Sequence, residues 1–505
     1  MGLSTVKEND AARSQYKLFF LFAAGLIAVG LLRLPDSLSF DNVALCDLGS
    51  NLTAHFLVAH RYQPTLDFGY AYGLLPLLLT RFWFVAFGLN PFAYQALMVA
   101  CGLAMAWALA TIAARLAFGV VGIALMFIAA GVAVQATYPS YAHALEAVLL
   151  SFALAEQAQE RFRSALVLAA VSILAKPNMG YVYALVLILL AAIETRKSGA
   201  GVGGFIRIVL PAGVVFLAIS IVLCVAYGPG LLFRTLFPVS GAVAYHALNY
   251  GFFTGAGSAF WRQPGHSWLI YFVDVSGFWI AGTIFLVSAA TWQFGRIILA
   301  QSSLNPRSEV LVTCAIVHVG FLVLGFGNRW SWIYYSYFLV IGCAIAADMG
   351  GSARRIGILL CVLALFSWTD VVFYGRRLWR TTEPDAVTAG LWASPVERAE
   401  WLGILSETRG RKAVMLDTAG AADLLFPGFE QPNTLFLFKG LMTPAEIQRK
   451  AAEISKADLV VVPKIGGTCG GVPPAPEFDA AITGFGLTRE KYFDVYHREG
   501  ADSRR

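Results

Sequence analysis

The chain has 505 residues, 58% of them apolar and 13% charged, with a formal net charge of +6. Soluble domains average about 25% charged residues, so an ordinary soluble protein is excluded. The modest positive charge gives no support to nucleic-acid binding, because membrane proteins collect Lys and Arg on their inner loops. The N-terminus carries Lys7, Glu8, Asp10, Arg13 and Lys17, followed by a long apolar run without a small-residue cleavage site. That pattern predicts a retained first helix, not a removed signal peptide.

Apolar runs fall at 18–35, 76–112, 117–136, 142–157, 164–175, 179–194, 206–227, 267–291, 310–327, 331–348 and 355–374. Runs near 20 residues are membrane-helix signals, and the series predicts an all-α polytopic domain over 1–375 with about eleven spans. The second run is too long for one span. Its first part, containing Arg81, reads as a surface-lying helix before a true span over 91–112. With the N-terminus inside, every inner loop receives a basic residue: Arg115, Arg161 with Arg163, Arg196-Lys197, Arg296 with Arg307, and Arg354-Arg355. The positive-inside rule then places the first loop (36–75), the loop 228–266 and the tail after about 375 on the extracytoplasmic side.

The first loop is over thirty residues long and half apolar, so it is expected to fold onto the membrane surface. It holds Asp41, Asp47, Asp67, His55 and His60, and ends in the aromatic stretch Phe68-Gly69-Tyr70-Ala71-Tyr72-Gly73. The tail, 376–505, reads as a small α/β soluble domain. Strands are predicted at 412–417, 434–440, 457–464 and in KYFDVYHRE. A helix is predicted at 443–456, opened by Thr443 with Glu446 three residues on, a capping box. PEFDAAITGFG suggests another helix. The Gly-rich link 466–471 lacks the setting of a phosphate loop. Of seven cysteines, five sit inside apolar runs as small hydrophobes; Cys46 and Cys469 lie outside them, and no zinc-like spacing occurs.

Charged groups kept near a membrane are functional candidates by default. Only the outer side combines carboxylates, imidazoles and cations near helix ends. Asp47 stands at the start of a weakly amphipathic stretch, where it serves as a helix cap or as a general base. Asp67 either organises the loop through backbone hydrogen bonds or takes part in chemistry. His143 and Glu146, three apart, share a helix face; a pair of ligands is a weak metal signal, and sugar or acceptor contact is the alternative. Lys176, before Pro177-Asn178, either snorkels to the interface or neutralises a phosphate. Arg329 in GNRWSWIYYSYF has the same two readings, and Arg234 is a weaker candidate of the same kind.

In the order and sidedness of these segments the chain resembles the GT-C superfamily, multi-span glycosyltransferases that use polyprenyl-phosphate-linked sugars and include protein O-mannosyltransferases and the aminoarabinose transferases of lipid A. Asp47 stands at the family's first acidic position, Ala54 in the helix that follows, and Pro64-Thr65-Leu66-Asp67-Phe68-Gly69-Tyr70-Ala71-Tyr72-Gly73 at the end of its first-loop pattern. Leu48 replaces the second acid, His60 or Arg61 the glycine, and Thr65 the tyrosine. LAKPNMG around Lys176 is similar to the family's lysine segment, and NRWSWIYYSYF to its late Arg-aromatic segment.

The resemblance implies transfer of a sugar from a polyprenyl-phosphate donor to a glycan, lipid or protein acceptor at the outer face of a bacterial inner membrane, with inversion. Lys176 and Arg329, with Arg234, would hold the phosphate. Asp47, with Asp67, would serve catalysis, and Tyr70, His143 and Glu146 would contact sugar or acceptor. Some relatives use a divalent metal and others do not; no cofactor follows from the residues. A lipid-linked-sugar transporter or a non-catalytic scaffold is the alternative. Transporters bury charge at the midplane on broken helices, often in inverted repeats; here the charges gather at one face and no repeat is visible.

Overall fold

The computed structural model describes residues 2–45, 47–64, 66–70, 72–137, 141–237, 277–300, 305–324, 336–417, 420–429, 442–464 and 476–498. Helices dominate to residue 381. They are α1 (Gly2–Leu32), α2 (Leu34–Ser37), α3 (Phe40–Ala44), α4 (Asp47–Ala59), α5 (Leu74–Phe87), α6 (Pro91–Arg115), α7 (Val120–Thr137) and α8 (Tyr141–Ala158). There follow α9 (Phe162–Ala175), α10 (Pro177–Lys197), α11 (Gly201–Tyr227), α12 (Pro229–Leu236), α13 (Gly277–Ala300), α14 (Pro306–Leu324), α15 (Ser336–Ala347) and α16 (Gly351–Thr381). Each predicted apolar run is mostly helical where it is described, with breaks at 33, 88–90, 117–119 and 348. Among the described residues, five helices are long and apolar enough to cross a membrane: those containing Arg13–Leu32, Pro91–Arg115, Met179–Lys197, Gly201–Tyr227 and Gly277–Arg296. The chain therefore reads as an integral membrane protein.

The long run 76–112 divides as its sequence suggests. Gly88, at φ 84°, ends α5, and the Asn90 side chain accepts the Ala93 N–H at 2.9 Å to cap α6. Pro91 then occupies the first helical position, where a missing N–H is harmless. In the bundle α6 packs between α1 and α8, and α9 lies against α8, α10 and α11. At the centre, α15 touches α7, α13, α14 and α16. Its residues from Tyr337 to Ala347 are buried throughout, as a helix apolar on all faces must be. Gly342 permits the close approach: a Cβ there would stand 2.4 Å from Leu286 Cδ1.

The charges separate to opposite ends of this bundle. At one end Arg307 donates to the Leu116 and Ala117 carbonyls, the Gly119 N–H donates to Asp348, and Glu309 lies within electrostatic reach of Glu160, Glu194 and Lys197. The first loop, the α9–α10 junction and the C-terminal region gather at the other end.

The C-terminal region contains the short pair β1 (Glu383–Pro384) and β2 (Trp392–Ala393), then α17 (Pro395–Glu407), β3 (Ala413–Met415), α18 (Ala421–Leu425), α19 (Pro444–Ile454), β4 (Leu459–Pro463), α20 (Pro476–Ala481), β5 (Phe485–Arg489) and β6 (Phe493–Arg498). The sheet order is β3-β4-β6-β5, with β3 and β4 parallel and the other pairs antiparallel. The strands expected at 412–417 and 457–464, the last strand, and the helix opened by Thr443 all form. Thr443 and Glu446 make both bonds of the capping box, at 3.1 and 2.9 Å. Besides the short β1, β2 and α18, two elements went unread. The first is α17, whose own capping box is Ser394 with Glu397. The second is β5, which begins where the predicted helix was expected to continue. The expected strand 434–440, the Gly-rich link 466–471, Cys46 and Cys469 lie outside the described residues.

The first loop, expected to fold onto the membrane surface, packs against the C-terminal region. Its apolar half is buried against the C-terminal sheet and helices. Phe40, fully buried, packs on Trp401, Phe426 and Phe493 with ring centroids 4.9, 5.8 and 6.4 Å apart. The Trp392 N–H donates to the Leu38 carbonyl at 2.8 Å. A Cβ on Gly49 would lie 2.3 Å from that of Ala421, so only glycine lets α4 approach α18 so closely. Loop and tail share one core on this side, and the tail closes a second, smaller one around Val414, Ile454, Val460 and Phe478 on its other side.

Candidate active site

Two helices meet at Lys176. The ring of Pro177 disfavours a helical conformation in the residue before it. Lys176 is accordingly extended (φ −156°, ψ 115°), ending α9 and beginning α10. Gly180 lets the two helices close on each other, since a Cβ there would meet Ile173 N and Ser172 Oγ at 2.7 Å. The end of the first loop arrives at the same point. The Gly73 N–H donates to the Ala175 carbonyl at 3.0 Å. A Cβ on Gly73 would stand 2.1 Å from the Leu174 carbonyl oxygen, so no larger residue fits.

Helix α8 supplies the third wall. His143 Nδ1 is 2.9 Å from Lys176 Nζ. The Tyr72 ring stands edge-on to His143 at 5.6 Å, and its centroid is 5.8 Å from Lys176 Nζ. Tyr70 continues the series at 5.7 Å from Tyr72, its hydroxyl donating to the Gly73 carbonyl at 3.4 Å, and Phe68 follows at 6.3 Å. Glu146, one turn beyond His143, is fully buried and acts electrostatically on Lys176. Burial draws the Lys176 ammonium down to about 8, with the Glu146 carboxylate pulling the other way. Tyr337, buried at the start of α15, is also within electrostatic reach of Glu146. Deeper in the bundle, Tyr183 donates to Gln157 and Gln157 to Thr313, both at 2.9 Å.

Four expected site residues, Tyr70, His143, Glu146 and Lys176, therefore converge from the first loop, α8 and the α9–α10 junction. The half-buried Lys176 ammonium stands over the Tyr72 ring beside a buried carboxylate, where a low-dielectric wall strengthens its field. Asp47 is the first residue of α4, at the positive end of the helix dipole; its side chain lies outside the described part of the structure. Asp67 holds its turn: its carboxylate accepts the Gln63 N–H at 2.8 Å, and its carbonyl accepts a bond from Arg449. Arg234 lies on the exposed face of α12, away from the buried Leu231, Leu232 and Thr235. Arg329 falls outside the described residues. Among the described residues no group of three or more His, Cys, Asp or Glu side chains is placed to hold a metal ion.

Sequence reasoning named Tyr72 only within the aromatic stretch and gave it no role, though its ring bridges Tyr70 to His143, and it missed that Glu446 and Arg449 reach the first loop from α19. The capping box drew attention to Glu446 but explained it fully within its own helix, so nothing pointed to a second partner 377 residues away.

No protein-family model matches the chain, and no curated protein matches it in sequence. Among solved structures it is similar to ArnT from Cupriavidus metallidurans, a crystal structure with bound undecaprenyl phosphate. The TM-score is 0.47 and the identity 12%, over 94% of this chain and 98% of that one.

Proposed function

We propose that this protein is a membrane glycosyltransferase that takes a sugar from a polyprenyl-phosphate donor and passes it to a glycan, lipid or protein hydroxyl. The observation that carries the reading is the meeting of Lys176, His143, Glu146 and Tyr72 at one end of an apolar bundle, where a lipid-borne phosphate would arrive. Lys176 binds the donor phosphate through charge-assisted hydrogen bonds and stabilises the negative charge that grows on it as the sugar departs. Arg329 and Arg234 are the further cations for the same phosphate. His143, Glu146 and Tyr70 contact sugar or acceptor. Asp47, or Asp67 in its place, takes the proton of the acceptor hydroxyl as the new C–O bond forms. The electron pair of the old glycosidic bond leaves with the phosphate, and a single displacement inverts the anomeric carbon.

The positive-inside count supports an outward-facing site, with first loop and tail extracytoplasmic; the resemblance to the GT-C superfamily and the composition suggest a bacterial inner membrane. About eleven spans, over residues 1–375, would carry it. The purified protein in proteoliposomes, given a radiolabelled polyprenyl-phosphate sugar and an extract of envelope acceptors, should form a labelled product that Lys176→Ala abolishes. Movement of the labelled lipid across the bilayer without bond transfer would replace this reading with a transporter.

A further inference from the structure

We infer that helix α19 of the C-terminal region positions the site from outside the membrane bundle, with Glu446 as the positioning residue that holds the Tyr70–Tyr72 segment against His143 and Lys176. The inference deepens the function proposed above by assigning the tail a part in that same site. Glu446 is fully buried, and one carboxylate oxygen does two jobs. Its Oε2 accepts the Thr443 N–H at 2.9 Å, closing the cap of its own helix, and the Gly69 N–H at 2.8 Å, across to the first loop. One turn on, Arg449 donates to the Asp67 carbonyl, and its guanidinium lies 5.5 Å from the Tyr62 ring centroid. The turn 67–69 is thus tied to α19 on both sides of buried Phe68.

From that anchored point the chain runs directly into the site. Phe68, Tyr70, Tyr72 and His143 form a series of edge-on rings, each centroid 5.6 to 6.3 Å from the next. Gly73 closes the segment onto the Ala175 carbonyl beside Lys176. A segment pinned at both ends by buried hydrogen bonds has few alternative conformations, which is what a binding wall needs. Helix α19 is itself fixed in the tail: Lys450, four residues after Glu446, is buried and paired with Asp423 at 3.2 Å. A continuous line of contacts therefore joins the buried ion pair of the tail to the membrane-end lysine.

Two readouts that involve no sugar test this on the intact protein in nanodiscs: amide hydrogen exchange over 67–73, and labelling of Lys176 by an amine-reactive ester, followed by peptide mass spectrometry across pH. Glu446→Ala should speed exchange over 67–73 about tenfold or more, the loss expected for one charge-assisted hydrogen bond, and should change the rate and pH midpoint of Lys176 labelling. Glu446→Gln, which keeps an acceptor oxygen, should restore most of both. Thr443→Ala removes the other bond of the capping box and leaves the Gly69 contact, so it should leave both readouts as in the parent. The inference is overturned if Glu446→Ala leaves both unchanged, or if Thr443→Ala reproduces its effects, in which case Glu446 serves only its own helix. Because neither readout depends on transfer, loss of the glycosyltransferase reading would show separately, as a parent protein that forms no labelled product.

Discussion

Lys176 offers the sharpest test of the site. Its ammonium is drawn from the ordinary 10.5 to about 8 by burial, so keeping it charged at neutral pH costs on the order of 3 kcal/mol. The sign follows from proton counts. Between about 8 and 10.5 the unfolded chain binds a proton that the folded chain does not, so Lys176 makes stability rise with pH across that window. Below about 8 the full cost is present, and a bound phosphate would offset it. Lys176→Met should therefore raise the melting temperature of the ligand-free protein while weakening donor binding. A hydrogen bond to a charged group contributes about 1.5–3 kcal/mol, so the loss of affinity should be roughly tenfold to a hundredfold. The pH profile follows from the same value: affinity of the parent for a polyprenyl phosphate should fall about tenfold per unit above about 8. Lys176→Arg, which does not deprotonate in this range, should abolish that fall. Tryptophan quenching by a short-chain polyprenyl phosphate, titrated at several pH values, measures all three. Binding that declines only above about 10, or a methionine variant that binds as the parent does, would refute Lys176 as the phosphate receptor.

Four further outcomes follow from the geometry. Gly73→Ala would place a methyl 2.1 Å from the Leu174 carbonyl oxygen, so the loop end must move; transfer should be lost and thermal stability reduced, with helix content by circular dichroism kept. Trp401→Ala removes the ring that Phe40, Phe426 and Phe429 pack on and should destabilise the joint of first loop and tail by about 3–5 kcal/mol, read as early proteolysis of both segments. Glu397, buried beside Asp41, is raised to about 9 by burial and by that second carboxyl, so the folded joint holds a proton that the unfolded chain releases above about 4.5. Its stability should fall as pH rises toward about 9, and Glu397→Gln should flatten that dependence in thermal melts. Lys450→Met leaves Asp423 buried without its cation and should cost about 3–5 kcal/mol in unfolding experiments, whereas Lys450→Met with Asp423→Leu should recover most of it.

Local sequence signals determined a good deal. Apolar runs became helices because a stretch of about twenty apolar residues leaves its backbone few other ways to satisfy its hydrogen bonds in lipid. Pro177 determined that Lys176 would stand between two helices, and the Thr443–Glu446 spacing determined where α19 starts, since both effects act over a few bonds. The pairing of His143 with Glu146 on one face was equally readable from the helical repeat. Tertiary structure alone decided what these residues meet. Nothing local says that Phe40 packs on Trp401, that Gly69 donates to Glu446, or that Tyr72 stands between Tyr70 and His143. Those contacts depend on how two amphipathic layers bury each other's apolar surface, and that free energy is shared over many residues and carried by no motif.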